Sequence, residues 1–270
     1  MRISKYELGY LKGSFYVNTE EPKANIIITH GLATNKDWGF IPYVAESLSK
    51  MYNVWTFDLP NCSVGEDLNE LKKMNNFTFS DNINDLSYII KALSKNNSVT
   101  NNIYFDNTLP KFLLGHSIGA TINLLYTISN PEEIKGNICW NGIPTVEFLG
   151  TQHIENIRNT GETKVYLPTR STQIPFGQSI VKDIDNNSIK FNLPYLLGKN
   201  SILPIKFIQS KEDNAYLVKF VSDLIKSNSY LEYDEIPFAN HNFTKDNAIL
   251  QEAQLNIAID STMAFINKLR

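Results

Sequence analysis

The chain has 270 residues, 42% of them hydrophobic and 20% charged, and its 25 basic and 28 acidic side chains leave a net charge of -3. A chain of this length buries about three quarters of its unfolded surface and needs no staples. The mildly acidic balance supplies no broad positive field for phosphate backbones or anionic lipid, so nucleic acid and membrane surfaces are excluded as expected partners and a small molecule is favoured. Two cysteines, Cys62 and Cys139, are too few for a disulfide framework and lack the C-x-x-C spacing of zinc or redox sites, leaving at most one bridge between them. The N-terminal residues contain no apolar signal core, and no stretch approaches the roughly 18 apolar residues of a membrane span. A soluble, cytoplasmic protein is therefore expected.

The first elements alternate: Ile3 to Leu8 and Ser14 to Asn18 flank a Lys12-Gly13 turn signal and predict an antiparallel hairpin at a sheet edge. Short, nearly continuous apolar runs then recur at Asn25 to His30, Asn53 to Asp58, Lys111 to Gly115, Gly136 to Trp140, Pro204 to Gln209 and Tyr230 to Ile236, as strands covered on both faces require. Helical spacing fills the intervals. Ser80 reads as an N-cap ahead of Ile83, Leu86, Ile89, Ile90 and Leu93 on one face, and comparable patterns run from Ile118 to about Ser129, from Ala215 to Lys226 and from Ala248 to Leu269. Strands and helices in alternation predict an α/β fold, a mostly parallel twisted sheet with helices on both faces. The segment from about Thr145 to Ser201 breaks that alternation with Pro168, Pro175, Pro194, Gly161, Gly177 and isolated aromatics. It reads as an insertion at one end of the sheet, a lid or binding loop within a single domain covering residues 1–270.

Gly115-His116-Ser117-Ile118-Gly119 falls where the strand Lys111 to Gly115 ends and the helix from Ile118 begins. A sharp strand-to-helix turn needs small residues two before and two after the serine, and it lifts the hydroxyl above the sheet. The following helix aims its free amides at any negative charge forming beside that hydroxyl. With 13 glycines in 270 residues and ordinary serine usage, chance supplies only about 0.04 copies of G-x-S-x-G. A serine nucleophile needs a base, and the base needs an orienting acid. Among the histidines, His241 lies in the loop between the last strand and the last helix, on the crevice side of the sheet, and is the candidate base. Asp213, in the polar loop after Pro204 to Gln209, is the candidate acid, with its neighbour Glu212 kept as the alternative. His30 and His116 read as structural, His153 as solvated, Asp58 as a strand-end cap and Cys62 as a packed side chain.

With those residues assigned, the chain resembles the α/β-hydrolase fold serine hydrolases, particularly the lid-bearing group of esterases, monoglyceride lipases and cinnamoyl esterases. His30-Gly31-Leu32, Gly115 to Gly119, Phe207 to Asp213 and Asn240-His241 carry the likeness, which spans nearly the whole chain. The resemblance implies Ser117 as nucleophile, His241 as general base and then acid, Asp213 as its orienter, and an oxyanion hole from the backbone amides of Leu32 and Ile118. It also implies two-step acyl transfer to water, with an ester preferred to an amide. Two departures stand out. The family's D-x-x-G-x-G-x-S is here Asp58-Leu59-Pro60-Asn61-Cys62-Ser63-Val64-Gly65, without glycines at the usual places, and Ser210 replaces the Gly often found before the acid. Phe148, Tyr166, Phe176, Phe191 and Tyr195 in the insertion point to a pocket for a modest apolar or aromatic acyl group. A thioesterase or peptidase would use the same three residues, and a ligand-binding module that has lost catalysis would keep the same fold. No phosphate loop, nucleotide fingerprint or cluster of metal ligands stands in the sequence, so no cofactor and no metal is expected. Oligomeric state is not legible.

Overall fold

The structure is a computed structural model and describes residues 2–95, 105–199, 203–245 and 249–270. It opens with a hairpin, β1 (Arg2–Leu8) and β2 (Leu11–Val17), and continues through β3 (Asn25–Thr29), α1 (Ile41–Leu48), β4 (Asn53–Phe57), α2 (Phe79–Lys95), β5 (Lys111–His116), α3 (Ile118–Ser129) and β6 (Gly136–Trp140). Next come α4 (Thr151–Thr160), a second hairpin of β7 (Glu162–Leu167) and β8 (Thr172–Gly177), α5 (Gln178–Asn186) and α6 (Leu193–Lys199). The chain returns through β9 (Ile205–Ser210), α7 (Ala215–Ser227), β10 (Glu232–Ile236), a short pair β11 (Thr244–Lys245) and β12 (Ile249–Leu250), and α8 (Glu252–Leu269).

Eight strands form one sheet in the order β1-β2-β4-β3-β5-β6-β9-β10, with β1 and β2 antiparallel at one edge and the other strands parallel to one another. β3, β4, β6 and β9 are buried at every residue, which is why they read as unbroken apolar runs. Alternate side chains divide between two cores. Ile27, Trp55, Leu113, Cys139 and Phe207 pack with residues of α2, α3 and α7, whereas Ile26, Ile28, Val54, Leu114 and Ile138 pack with residues of α1 and α8. Helices therefore cover both faces. The segment between β6 and β9 contributes Val146, Ile157, Ile174, Phe176, Ile180 and Leu197 to the first of these cores. Among the described residues no helix is long and apolar enough to cross a membrane.

Several local expectations shift. The first hairpin turns at Gly9-Tyr10, not at Lys12-Gly13, which lie inside β2. Gly9 takes the left-handed conformation the turn needs (φ 59°), while Gly13 pairs with Tyr6, whose hydroxyl crosses to the Thr56 carbonyl at 3.0 Å. α2 is capped by Thr78, whose hydroxyl accepts from the Asp81 amide at 3.0 Å; Ser80 sits in the first turn, where its amide (3.0 Å) and hydroxyl both donate to Asp183 of α5. The last helix starts at Glu252, and Ala248, expected to begin it, lies outside the described residues. The strand expected from Tyr230 begins at Glu232. Cys62 and Cys139 are both buried and free, so no bridge joins them.

Candidate active site

The strand order reverses between β3 and β5. From β3 the chain proceeds to β4 on one side, and from β5 to β6 on the other, so the loops leaving these two strands part and open a crevice beyond their carboxyl ends. Ser117 sits at that point, between β5 and α3, with φ 55° and ψ -123°. Such a conformation costs a non-glycine residue on the order of 1–3 kcal/mol and persists only where its surroundings impose it. Here the Ser117 amide is tied to the Trp140 carbonyl at 3.0 Å. A Cβ at Gly115 would lie 2.5 Å from the Ala120 nitrogen, and one at Gly119 would strike the Thr29 carbonyl oxygen. The two glycines of the motif are thus required by contact with the neighbouring backbone.

The structure brings Ser117, His241 and Asp213 into hydrogen-bonded succession. His241 Nε2 lies 3.0 Å from Ser117 Oγ, and Nδ1 lies 3.0 and 2.9 Å from the two carboxylate oxygens of Asp213. A carboxylate only accepts, so the proton belongs on Nδ1 and the Nε2 lone pair faces the serine hydroxyl. The Asp213 side chain is 1% exposed. Burial alone would raise its pKa. Hydrogen bonds from His241, from the Asn214 amide at 2.6 Å and from Gln209 Nε2 at 2.8 Å, with the charge of His241, outweigh that and hold the carboxyl below its ordinary value. Glu212, the alternative acid, stays exposed at the rim, its amide donating to the Ala239 carbonyl at 2.9 Å.

A supporting set was missed in the sequence. Asn141, just past β6 in the left-handed region (φ 45°), accepts from the Ser210 amide at 2.7 Å through Oδ1. Its Nδ2 donates to Ser210 Oγ at 3.0 Å and to the His241 carbonyl at 2.9 Å. His116 Nε2 donates to the same carbonyl at 2.9 Å. The main chain of His241 is therefore held from the ends of β5 and β6, and Ser210, where the resemblance suggested glycine, is a partner in that grip. Burial drives the pKa of His116 down to about 3, so it stays neutral beside His241. His30 is similarly lowered by burial; its Nδ1 donates to the Gly31 carbonyl at 2.8 Å and its Nε2 accepts from the Leu59 amide at 3.1 Å. Asn141 carries a weak signal in its place directly after a strand. Gln209 carries none, being one polar residue inside an apolar run.

Leu32 and Ile118 border a cavity of about 410 Å³ that also contains Ser117 and His241. Among the described residues neither backbone amide has a protein acceptor. The loop carrying Leu32 passes close over the elbow, since a Cβ on Gly31 would stand 3.4 Å from Ser117 Cβ. It is tied to the loop after β4, the Val64 amide donating to the Thr34 carbonyl at 2.8 Å and the Lys36 amide to Asp58 Oδ1 at 2.8 Å. Asp58 thus joins two loops in addition to ending a strand. Phe148 and Phe176 form part of the cavity wall, their rings edge to face at 5.8 Å, and Phe77 braces both at 6.2 Å. The other three aromatics of the segment between β6 and β9 stay outside: Tyr166 is 59% and Tyr195 48% exposed, and Phe191 is buried against Phe79. His153 is half-buried and bonded to Thr163 Oγ1 at 2.9 Å instead of solvated. Burial pushes the Cys62 thiol up to about 12, which keeps it a packed, protonated side chain. No group of three His, Cys, Asp or Glu among the described residues is arranged to hold a metal.

No family model matches the sequence, and no curated protein matches it. Solved structures do. The chain is similar to Est1E from Butyrivibrio proteoclasticus with ferulic acid bound, at 15% identity and a TM-score of 0.69, covering 98% of this chain and 99% of that one. It is similar to a soluble variant of monoglyceride lipase from Saccharomyces cerevisiae in complex with a substrate analog, at 15% identity and a TM-score of 0.69 over 98% and 94% of the two chains. It is also similar to the mouse alpha/beta hydrolase domain-containing protein 10, at 16% identity and a TM-score of 0.65 over 100% of both. Identities this low speak for the fold alone. The eight-stranded, mostly parallel sheet with helices on both faces is that of the α/β hydrolases.

Proposed function

We propose that the protein is a serine hydrolase that cleaves a carboxylic ester through an acyl-enzyme. The observation that carries this reading is the His241 imidazole, spanning from Ser117 Oγ at 3.0 Å to Asp213 at 2.9 Å. In it, Ser117 Oγ attacks the ester carbonyl carbon while its proton passes to His241 Nε2. The carbonyl oxygen takes the displaced electron pair and is met by the Leu32 and Ile118 amides, each supplying roughly 3 kcal/mol to the transition state. His241 returns the proton to the leaving alcohol, then takes one from water for deacylation. Ionised Asp213 favours the imidazolium formed in between and fixes the tautomer.

The choice of ester is supported by the company the fold keeps, a monoglyceride lipase and a structure holding ferulic acid, an aromatic acid. A cavity of about 410 Å³ walled by Phe148 and Phe176 suits a modest apolar or aromatic acyl group better than a long lipid chain. The segment between β6 and β9 acts in this reading as a lid within a single domain, because Val165, Leu167, Ile174 and Phe176 of its hairpin line the cavity while its other apolar side chains join the main core. The reading needs no cofactor and keeps the cytoplasmic setting expected from the sequence. A fluorophosphonate probe should label Ser117. A panel of p-nitrophenyl esters of graded length, beside methyl ferulate and a matched thioester, should show short and aromatic acyl esters turned over fastest. Folded protein that resists labelling would sink the serine mechanism, and a preference for the thioester would sink the ester assignment.

A further inference from the structure

Arg170 closes the tip of the β7–β8 hairpin, in the 3-10 turn Pro168–Arg170 that precedes the left-handed Ser171 (φ 50°). Its side chain leaves the hairpin and reaches two distant loops. Nε donates to the Ala33 carbonyl at 2.8 Å, Nη1 to the Gly65 carbonyl at 3.0 Å and Nη2 to the Val64 carbonyl at 2.5 Å. The guanidinium lies over the Trp38 ring, with Cζ 4.0 Å from the centroid. Three main-chain carbonyls in one fork are a task for a planar guanidinium, which spreads its donors over three nitrogens; an ammonium group carries its three donors on one nitrogen and cannot present that geometry.

The grip falls next to the reacting centre. Ala33 follows Leu32 directly and is itself left-handed (φ 52°), a conformation an L-residue holds only when its surroundings impose it. Holding the Ala33 carbonyl fixes the course of the backbone from which the Leu32 amide projects. On the other side of Arg170, Leu167, Pro168 and Thr169 line the cavity. We infer that Arg170 is a positioning residue, a clamp that joins the β7–β8 hairpin to the loop bearing the Leu32 amide and so sets an oxyanion donor and a cavity wall together. The inference rests on the acyl-transfer reading, since only there does the Leu32 amide receive a developing charge.

Loss of the clamp removes stabilisation realised in the transition state and spares most ground-state binding. The test uses the full chain with Arg170→Met, which keeps a long unbranched side chain without charge or donors, and Arg170→Lys, which keeps the charge without the fork. Each is measured for kcat and KM on p-nitrophenyl butyrate. Each is also measured for affinity toward an aryl trifluoromethyl ketone, whose adduct with Ser117 places an oxyanion in the hole, and toward the matching carbinol, which forms no adduct. The expected result for both variants is a kcat loss of about 10- to 100-fold, ketone binding weakened by a similar factor, and KM and carbinol binding changed less than about threefold. Guanidinium ion added to Arg170→Ala should restore part of the lost kcat. Unchanged kcat, or equal weakening of ketone and carbinol, overturns the clamp. Should Arg170→Met fail to fold, the ketone-to-carbinol ratio in Arg170→Lys decides alone. A wild-type chain that forms no ketone adduct overturns the acyl-transfer reading and the clamp with it, whereas a wild-type adduct with no change of ratio in the variants removes the clamp only.

Discussion

The back and the front of the cavity are held by different means. At the back, Ser117, Asp213 and His241 stand at the carboxyl ends of β5, β9 and β10, and Asn141, Ser210, Gln209 and His116 lace those ends together by hydrogen bonds. At the front, the wall from Ile143 to Phe176 is made of apolar side chains apart from Thr169 and is hung on polar ties at a few points, among them Arg170 to the loop after β3 and Asp183 to the start of α2. The proposed acyl transfer requires its reacting groups to be held to fractions of an ångström, and parallel strands in fixed register provide that; an apolar wall carried largely by a separate hairpin can be remade without moving the strands.

The largest effect should come from the back. Replacing His241 with Ala should lower kcat by about four orders of magnitude with little change in KM, measured on any ester the wild type turns over. A loss under tenfold would remove His241 as the base. Asp213→Asn should cost about 10³- to 10⁴-fold, through the wrong imidazole tautomer, while Glu212→Gln at the exposed rim should change kcat less than twofold. The reverse ranking would transfer the acid role to Glu212. At the front, Phe176→Ala removes a fully buried ring packed edge-on against Phe77 and Phe148. It should cost about 3–5 kcal/mol of stability in urea melts and raise KM more than it lowers kcat. If it instead depresses kcat as strongly as the back-wall substitutions do, the two regions are not separable.

The smallest effect concerns acid. The Asp213 carboxyl is held below its unfolded value of about 3.9, so its contribution to stability is fully present above that pH and is lost as pH falls through the lower, folded value. Urea melts between pH 5 and 2 should therefore show a wild-type decline at the acid end that is shallower in Asp213→Asn. Parallel curves would mean that the carboxylate is not favoured by the fold.

What the sequence disclosed and what it withheld follow from range. The central strands and the elbow are local signals, continuous β-branched runs and two glycines around a serine, and burial on both faces of β3 and β6 makes such signals unambiguous. Thr78 and Ser80 are both good capping residues, and only the presence of Asp183, about a hundred residues away in the chain, decides between them. Pro175 spoils the strand pattern of β8, yet among the described residues β8 is hydrogen-bonded as a strand only to β7, and a strand in so small a sheet tolerates a proline. The fork of Arg170 and the amide of Gln209 find their partners through the assembled fold, and no spacing along the chain announces them.

Cys62 and Cys139 are each completely enclosed, and burial keeps both thiols protonated well beyond physiological pH. Alkylating reagents thus meet neither sulfur while the sheet is intact, and the rate at which iodoacetamide is taken up becomes a clock for the opening of the one core that holds both, on the α2, α3 and α7 face of the sheet, one that can be read without following turnover at all.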